Sequence, residues 1–446
     1  MEVCSAEDTI IDEILHNRVE PQDNKEESVD KIIRESFNEE EREEKDEEEA
    51  SFEATSATSE TAPLRRSARV HKPRIEPGFV YPKIVSAVID DPKPTWIELS
   101  LICGLVEESA QRGEAGKLAS AKLELERVWK KYGAFHPVKL VKDSKEKIIK
   151  GKLFTIEKTD ASGNFLKNKS RLVARGDLRK EKFSTLDTFA PTFTFATFLI
   201  VLNIILSYDL SWMVVDVESA YLNAKMEGGV YMRLDPKIAK LMKELDPSVN
   251  EYIEQDGSIV VKIVRGLYGL QESARLWNLT LKKKLIELGY KQSNYDQALY
   301  FKWVGESICV VLVYVDDLLL VGTKAQIEKT KQSLKEDFTI NSSELDASEV
   351  DYVGIKVIYN QEGKSFSLNQ PGYIEKITGK IEGESDMPYD NQLYHEEESD
   401  KFEDITAYRS LVMELKYMER TRPDIKVPLG YLTTKMQDPT NRDWKS

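Results

Sequence analysis

Two adjacent carboxylates, Asp316 and Asp317, interrupt an otherwise apolar stretch and constrain the fold more than any other feature of the chain. The run from Ile308 to Val313 precedes Tyr314-Val315 and the two acids, and the run from Leu318 to Val321 follows them. Segments rich in Val, Ile and Leu on both sides of a short polar interruption predict two buried strands joined by a tight turn. The acids would therefore lie at the edge of a sheet, where two like charges are unfavourable unless a cation neutralises them.

A second apolar segment also ends in an acid. Residues Trp212 to Val215 are followed directly by Asp216. Three acids on two neighbouring strands predict a site for two Mg²⁺ or Mn²⁺ ions, which clamp the attacking and leaving oxygens of an in-line phosphoryl transfer. Two alternatives stay open. Asp316 and Asp317 could belong to an ordinary exposed turn, where Asp is common, and Asp216 could be a cap for the segment that begins at Val217.

An ordered series of motifs resembles the reverse transcriptase region of Pol polyproteins from copia-type long-terminal-repeat retrotransposons. The resemblance covers roughly residues 64 to 446, and its strength lies in the order of many blocks rather than in any one of them. The blocks are Leu64–Arg69, Lys169–Asp177, Ala190–Thr192, Asp216–Asn223, Val230–Met232, Leu267–Trp277, Tyr314–Asp317, Tyr352–Ile355, Gln370–Ile374, Tyr408–Ser410 and Thr421–Ile425. The resemblance implies an RNA-directed DNA polymerase, a nucleotidyltransferase that adds dNTPs to a primer 3′-hydroxyl.

The resemblance also implies roles for the residues around the acids. Asp216, Asp316 and Asp317 would be the catalytic metal ligands, with the Val217 carbonyl as a further oxygen ligand. Tyr221 lies five residues after Asp216, where related polymerases place an aromatic ring under the incoming sugar to exclude a 2′-hydroxyl. Plain core packing in an amphipathic helix is the alternative for Tyr221.

A basic cluster lies on a strand-like run of the chain. Because side chains alternate along a strand, Arg171, Val173 and Arg175 are predicted to share one side. The planar guanidinium fork of arginine can contact two phosphate oxygens at once, so we expect Lys169, Arg171 and Arg175 to bind the nucleotide triphosphate. A solvated sheet edge is the alternative.

Two further segments are assigned to substrate contacts. Tyr268 and Gly269 lie in a turn where glycine would let the backbone approach a base pair closely, and an ordinary strand-to-helix turn is the alternative. By the resemblance, a later hairpin supplies the primer grip, with Tyr352, Val353 and Gly354 as its residues.

The alternation of strands and helices predicts an α+β fold. By the resemblance this is a right-hand polymerase with fingers, palm and thumb, whose antiparallel palm sheet carries the acids. We expect helices over residues 107–131, 193–207, 273–289 and 408–418, with a weaker one at 10–15. Hairpins are expected at 160–163, at the two acids and over 352–369.

The net charge of −15 is distributed unevenly along the chain. Residues 1–60 hold 22 acidic and 6 basic residues, residues 381–404 hold ten and one, and the remainder therefore carries +10. A remainder that is basic, although the chain as a whole is acidic, is expected of a protein that holds a nucleic-acid duplex. The acidic N-terminal segment has few apolar residues to bury, and we predict that it is a disordered tail.

These observations divide the chain into four predicted segments. Residues 1–62 form a disordered acidic linker, and 63–92 form a basic segment similar to the one that follows integrase, suited to nucleic-acid binding or nuclear import. Residues 93–370 form the fingers and palm, and 371–446 form the thumb or connection region, truncated before a ribonuclease H domain. Two other interpretations stay open. The truncation favours an inactive retrotransposon remnant that binds nucleic acid, whereas an unrelated two-metal enzyme, such as a different polymerase with a palm, would make the ordered downstream blocks a coincidence.

Composition and the resemblance together predict the cellular compartment and the partners of the protein. Cys4, Cys103 and Cys309 have no paired spacing, which indicates a reducing compartment without a disulfide scaffold or zinc site. Neither a signal peptide nor a membrane span is expected. The resemblance implies a virus-like particle in the cytoplasm, or the nucleus, and as partners an RNA template, a DNA primer, dNTPs, and integrase or a second copy of the chain.

Overall fold

The computed structural model describes residues 113–139, 148–159, 165–179, 183–379 and 399–445, with Glu13 and a few positions between 387 and 394. The predicted linker and basic segment, the 10–15 helix, the 160–163 turn and most of the acidic 381–404 segment lie outside these residues. The chain divides into two compact units. Of the described residues, the first unit comprises 113–284 and 291–372, and the second comprises 285–290 and 373–445.

The first unit contains the strands. In chain order they are β1 (Phe135–Pro137), β2 (Ile148–Thr159), β3 (Phe165–Ala174), β4 (Ser211–Val217), β5 (Lys225–Leu234), β6 (Ile259–Arg265), β7 (Lys291–Gln292), β8 (Leu299–Val304), β9 (Ser307–Tyr314), β10 (Asp317–Gly322), β11 (Ile340–Ser342), β12 (Glu349–Tyr352), β13 (Ile355–Asn360) and β14 (Ser365–Asn369).

These strands form three sheets. The first has the order β1-β6-β5-β2-β3, with β2 and β5 parallel and the other pairs antiparallel. The second has the order β11-β4-β10-β9-β8-β7 and is antiparallel throughout, and the third is the antiparallel meander β12-β13-β14. The predicted mixture of helices and sheets is confirmed.

The helices predicted over 107–131, 193–207, 273–289 and 408–418 each have a counterpart among the described helices. The described α-helices are α1 (Glu114–Leu125), α2 (Thr185–Thr188), α3 (Phe195–Ser207), α4 (Ala220–Asn223), α5 (Pro236–Leu245), α6 (Ser273–Glu287), α7 (Lys324–Asp337), α8 (Pro371–Thr378), α9 (Ile405–Met418), α10 (Lys426–Thr434) and α11 (Asn441–Lys445).

The helix predicted over 107–131 is confirmed over residues 114–131, although it is not an α-helix throughout. The α-helix covers only Glu114–Leu125, and the chain continues as a π-helix over Glu126–Lys131. The wider turn places the consecutive side chains Val128 and Trp129 both in the core, which the spacing of an α-helix does not favour. Residues 107–112 lie outside the described residues.

The six-stranded sheet is buried on both faces at its centre. Every residue from Ile308 to Val313 in β9 and from Leu318 to Gly322 in β10 is buried, and α7 packs against β4 and β10. Double-sided burial explains why these strands are continuous apolar runs rather than alternating ones. The polar residues between β9 and β10 are therefore confined to the turn, at the end of these two strands.

In the second unit, two helices pack through a small apolar cluster. Tyr408 and Val412 of α9 and Leu429 of α10 form its buried centre. The Tyr408 hydroxyl donates a hydrogen bond to the Leu432 carbonyl at 3.0 Å, which satisfies its polar end. Asp404 caps α9 by accepting a hydrogen bond from the Ala407 amide, so the helix begins at Ile405 and not at Tyr408.

No helix of the described residues is long and apolar enough to cross a membrane.

A buried carboxylate fixes the start of α3. Asp296, at 6% exposure, accepts hydrogen bonds from the Thr194 amide (3.0 Å), the Thr197 hydroxyl (2.5 Å) and the Ala298 amide (3.0 Å). Thr194 itself caps α3 by accepting from the Thr197 amide. Asp296 therefore joins the N-terminus of α3 to the chain that enters β8.

We expect Asp296→Ala to lower the free energy of unfolding by about 3 kcal/mol or more, because three donors lose a charged acceptor in the core. Asp351→Ala is the matched control, since Asp351 is exposed on β12, and its loss should cost less than about 1 kcal/mol. Urea unfolding of both variants tests this, and equal losses would contradict the assigned role of Asp296.

Candidate active site

Strand register brings the three predicted acids to the same end of the central strands in the six-stranded sheet. β4 and β10 pair so that Asp216 lies directly opposite Asp317, and directly opposed residues project from the same face. β9 and β10 pair Tyr314 with Asp317, which leaves Val315 and Asp316 as the two-residue turn between them. The Val217 amide donates to the Asp316 carbonyl at 2.8 Å and so attaches the turn to β4.

The acids are half-buried and repel one another. Burial raises the pKa of the Asp316 carboxyl, and the charge of Asp216 raises it further, while Lys169 and Arg171 act in the opposite direction. Burial, followed by the charges of Asp316 and Asp216, raises the pKa of Asp317 to about 6. The ionised site is therefore unfavourable by itself, and a cation would offset the repulsion.

The donor set suits a hard divalent ion. The three side chains supply carboxylate oxygens, the ligands that Mg²⁺ and Mn²⁺ prefer. Among the described residues, no three His, Cys, Asp or Glu side chains converge closely enough to count as a preformed metal cluster. The chemistry of the donors fits the predicted ions, whereas the described residues form no closed ligand cage.

Tyr221 lies beside the acids on the short helix α4. Burial raises the pKa of its hydroxyl, and the negative charge of Asp316 raises it further. The Tyr221 side chain is only partly buried, unlike its neighbours Ala220 and Leu222. A ring in this position lines the space next to the acids rather than the centre of the core.

The backbone of α4 is fixed from several directions. The Asn223 side-chain amide donates to the carbonyls of Glu218, Ser219 and Ala220 at 3.2 to 3.3 Å. Gly266 lies so close that a Cβ there would be 2.7 Å from the Tyr221 carbonyl oxygen. The position of Tyr221 therefore depends on a hydrogen-bonded backbone and on a glycine in the neighbouring segment.

A row of side chains leads from the acids to the basic cluster. The rings of Tyr221 and Tyr268 have centroids 5.3 Å apart, and the Arg171 guanidinium lies 5.1 Å from the Tyr268 centroid. Burial, and then the charge of Arg171, lowers the pKa of Lys169 to about 8. Cations that are partly desolvated in this way favour a bound anion, so the end of the row suits phosphate.

Glu124 belongs to this cluster and was not predicted. Its buried carboxylate accepts a hydrogen bond from the Leu172 amide at 3.2 Å, contacts the Arg127 guanidinium and lies 3.9 Å from that of Arg171. Ser120, one helical turn earlier on α1, accepts from the Ser170 amide at 3.1 Å. The sequence signal for this contact was weak: Ser120 and Glu124 are two polar residues four apart on a helix face that is otherwise packed.

Arg175 lies just beyond the end of β3 and pairs with an acid. β3 ends at Ala174, and the chain then turns into a short 3₁₀ helix over Gly176–Leu178. The exposed Arg175 side chain forms two hydrogen bonds to the Asp177 carboxylate at 2.7 and 2.8 Å. Arg175 therefore lies one residue beyond β3, and its place on the same side as Arg171 stays a prediction.

Gly269 is required for close packing within the protein. It has φ +88°, and a Cβ there would lie 2.1 Å from the Ala174 carbonyl oxygen. The Ala174 amide donates to the Tyr268 carbonyl at 2.8 Å, so the turn packs directly on the end of β3. The close approach expected of this glycine is thus met by the backbone of the protein itself.

The predicted primer-grip residues lie in two environments. Tyr352 is 2% exposed, and its ring centroid is 5.8 Å from that of Phe193 and 5.5 Å from that of Phe198. Val353 and Gly354, with φ +51° and +73°, form the turn between β12 and β13. The turn can contact a ligand, whereas Tyr352 is a core residue that supports it.

The sequence matches the family model described as reverse transcriptase (RNA-dependent DNA polymerase) over residues 132–388. The retrovirus-related Pol polyprotein from transposon RE1 of Arabidopsis thaliana is 28% identical over 298 residues, 65% of this chain and 19% of that protein. The Pol polyprotein from transposon TNT 1-94 of Nicotiana tabacum is 26% identical over 399 residues, 86% of this chain and 28% of that protein. The chain thus spans less than a third of these relatives.

Among solved structures, a foamy viral protease-reverse transcriptase in complex with double-stranded DNA aligns with 71% of this chain and 44% of its own, at 12% identity and a TM-score of 0.33. The resemblance to retrotransposon Pol polyproteins that the motifs predicted is confirmed by the sequence matches.

We expect Asp317→Asn to stabilise the protein at pH 7 while it removes part of the site. The pKa of Asp317 is raised from 3.8 to about 6, so its ionisation destabilises the folded state, and stability falls as pH rises from about 4 to 6. With allowance for partial exposure, the variant should gain about 1 to 2 kcal/mol at pH 7 and nothing at pH 3.5.

Urea unfolding at both pH values, without divalent ions, measures this difference. Asp351→Asn is the control, because Asp351 is exposed on β12. A gain at pH 7 no larger than that of the control would contradict the assigned repulsion.

Proposed function

The chain belongs to the reverse transcriptase (RNA-dependent DNA polymerase) family, and we propose that it is an RNA-directed DNA polymerase of a copia-type retrotransposon. The observation that carries this proposal is the register of β4 and β10, which sets Asp216 opposite Asp317 beside the Asp316 turn. The reaction is transfer of a nucleotide from a dNTP to a primer 3′-hydroxyl, directed by an RNA template.

In this proposal, Asp216, Asp316 and Asp317, with the Val217 carbonyl, hold two Mg²⁺ or Mn²⁺ ions. When bound, such ions lower the pKa of the attacking hydroxyl and stabilise the charge on the departing oxygen. The side chains of the protein contribute the negative charge that attracts the ions. Burial, followed by the charges of Asp316 and Asp216, raises the pKa of Asp317 to about 6, so a bound cation would favour the ionised form of this carboxyl.

The basic end of the row would bind the triphosphate. Arg171 lies over the Tyr268 ring, which orients its guanidinium, and Lys169 adds a charge on the same strand. Both positive charges oppose the rise in the pKa of Asp316, so they act on the acids as well as on an anion. Arg175, paired with Asp177, has a peripheral role in this arrangement.

The sheets suggest an assignment to the parts of a right-hand polymerase. We assign the five-stranded sheet with α1 to the fingers, the six-stranded sheet to the palm, and the Val353-Gly354 turn to the primer grip. The helices of residues 371–445 would form the thumb or connection region. An RNA template, a DNA primer and dNTPs are the proposed ligands, with integrase or a second copy of the chain as protein partners, in a virus-like particle or the nucleus.

We expect Asp316→Asn to abolish dNTP incorporation on an RNA template annealed to a DNA primer in Mg²⁺. The substitution removes one charge of the metal site, and the rate should fall at least about a hundredfold. Asp351→Asn should retain the wild-type rate. If the wild type binds the duplex but never extends the primer, the inactive nucleic-acid-binding remnant replaces the polymerase as the function.

We expect Tyr221→Val to relax the choice between dNTPs and rNTPs. Removing the ring opens the space that a 2′-hydroxyl would occupy, so the preference for dNTP in kcat/KM should fall at least about tenfold. Tyr208→Val, an exposed tyrosine just after α3, is the control. An unchanged preference together with lower stability would assign Tyr221 to core packing instead.

A further inference from the structure

The turn that carries Asp316 has a backbone conformation that its sequence does not favour. Val315 occupies the first of the two central positions and has φ +55°. Glycine is usual at a position with positive φ in such a hairpin, and a β-branched residue there is strained by about 1 to 3 kcal/mol. The surrounding structure must therefore hold the turn in place.

Groups from outside the hairpin bind both carbonyls of the turn. The Trp277 indole N–H donates to the Val315 carbonyl at 2.7 Å. The Val217 amide donates to the Asp316 carbonyl at 2.8 Å. The second contact belongs to the sheet that carries the acids, whereas the first comes from the separate helix α6.

Trp277 is itself rigidly placed. Its side chain is 1% exposed, and its ring meets Phe338 edge to face at a centroid distance of 5.2 Å. Because the indole N–H is the single donor of a tryptophan side chain, its entire hydrogen-bonding capacity is used on the Val315 carbonyl.

The same helix also holds the turn that contains Tyr268. The Ser273 hydroxyl, one helical turn before Trp277, donates to the Leu267 carbonyl at 2.7 Å and accepts from the Leu267 amide at 2.9 Å. Residues four apart on a helix lie on the same face. One face of α6 therefore contacts both the segment entering the Tyr268 turn and the turn that carries Asp316.

We propose that Trp277 is a positioning residue of the proposed active site, which acts through the Val315 carbonyl to hold the Asp316 carboxylate in register with the Tyr268 turn that Ser273 fixes. Trp277 contacts neither substrate nor metal in this proposal. The expected effect of Trp277 on turnover rests on the proposed polymerase function, whereas its expected effect on the geometry of the turn does not.

The experiment compares Trp277→Phe with Trp212→Phe in the full chain. Both substitutions remove an indole from a fully buried site, each at 1% exposure. Trp212 lies on β4 of the same sheet, and its indole N–H has no hydrogen-bond partner among the described residues. Comparing the two variants therefore separates the effect of losing the hydrogen bond to Val315 from the effect of losing volume in the core.

The first measurement is amide hydrogen exchange in peptides that cover residues 314–318 and Val217. At equal global stability, adjusted with urea, exchange there should be at least about tenfold faster in Trp277→Phe than in Trp212→Phe, since the strained turn has lost one of its two attachments. Equal exchange in the two variants would overturn the proposal, because the turn would then keep its geometry without Trp277.

The second measurement is primer extension. In Trp277→Phe, kcat should fall about tenfold, with the KM for dNTP within about twofold of wild type, because the acids are displaced while Lys169 and Arg171 are not. Loss of kcat to the same extent in Trp212→Phe would overturn the proposal. If the wild type does not extend primers, the proposed function fails, and hydrogen exchange alone still decides whether Trp277 positions the turn.

Discussion

The candidate active site depends on one electrostatic constraint, which is the placement of three carboxylates at one end of a sheet whose central strands are buried on both faces. The low polarity around β9 and β10 raises the pKa of Asp316 and Asp317, and the mutual repulsion of the acids adds to this effect. The protein thus accepts a local loss of stability where chemistry is proposed, as is common for active sites. Partial compensation comes from Lys169 and Arg171, whose charges favour the ionised form of Asp316.

Close backbone contacts determine how the parts of this region meet. The turn with Tyr268 packs on the end of β3 because Gly269 has no side chain to collide with the Ala174 carbonyl, and Gly266 similarly admits the Tyr221 carbonyl. These contacts bring the basic strand and the two tyrosines together in one row. The row orients Arg171 over Tyr268, so a pair of cations and a group of carboxylates lie at opposite ends of the same set of side chains.

Features that depend on local pattern were predicted well, and those that depend on where an element ends were not. The paired strands around Asp316 and the helix that begins at Ser273 follow from apolar runs and their spacing. The start of α9 was predicted three residues too late, because Asp404 caps the helix at Ile405, a boundary that the spacing of apolar residues does not show. Tyr352 was assigned to the primer grip, yet its ring is enclosed by Phe193 and Phe198, which precede it by more than 150 residues in the chain.

The sequence by itself determined the apolar strands, the polar turn between them and the identity of the three acids, because strand formation and turn position depend on neighbouring residues. Only the tertiary structure decided which distant groups hold these elements in place. Glu124 binds the Leu172 amide across 48 residues, Trp277 binds the Val315 carbonyl across 38, and Asp296 binds the Thr194 amide across 102. Such contacts leave no periodic signal in the sequence, since a buried polar side chain is paired by packing and not by its position along the chain.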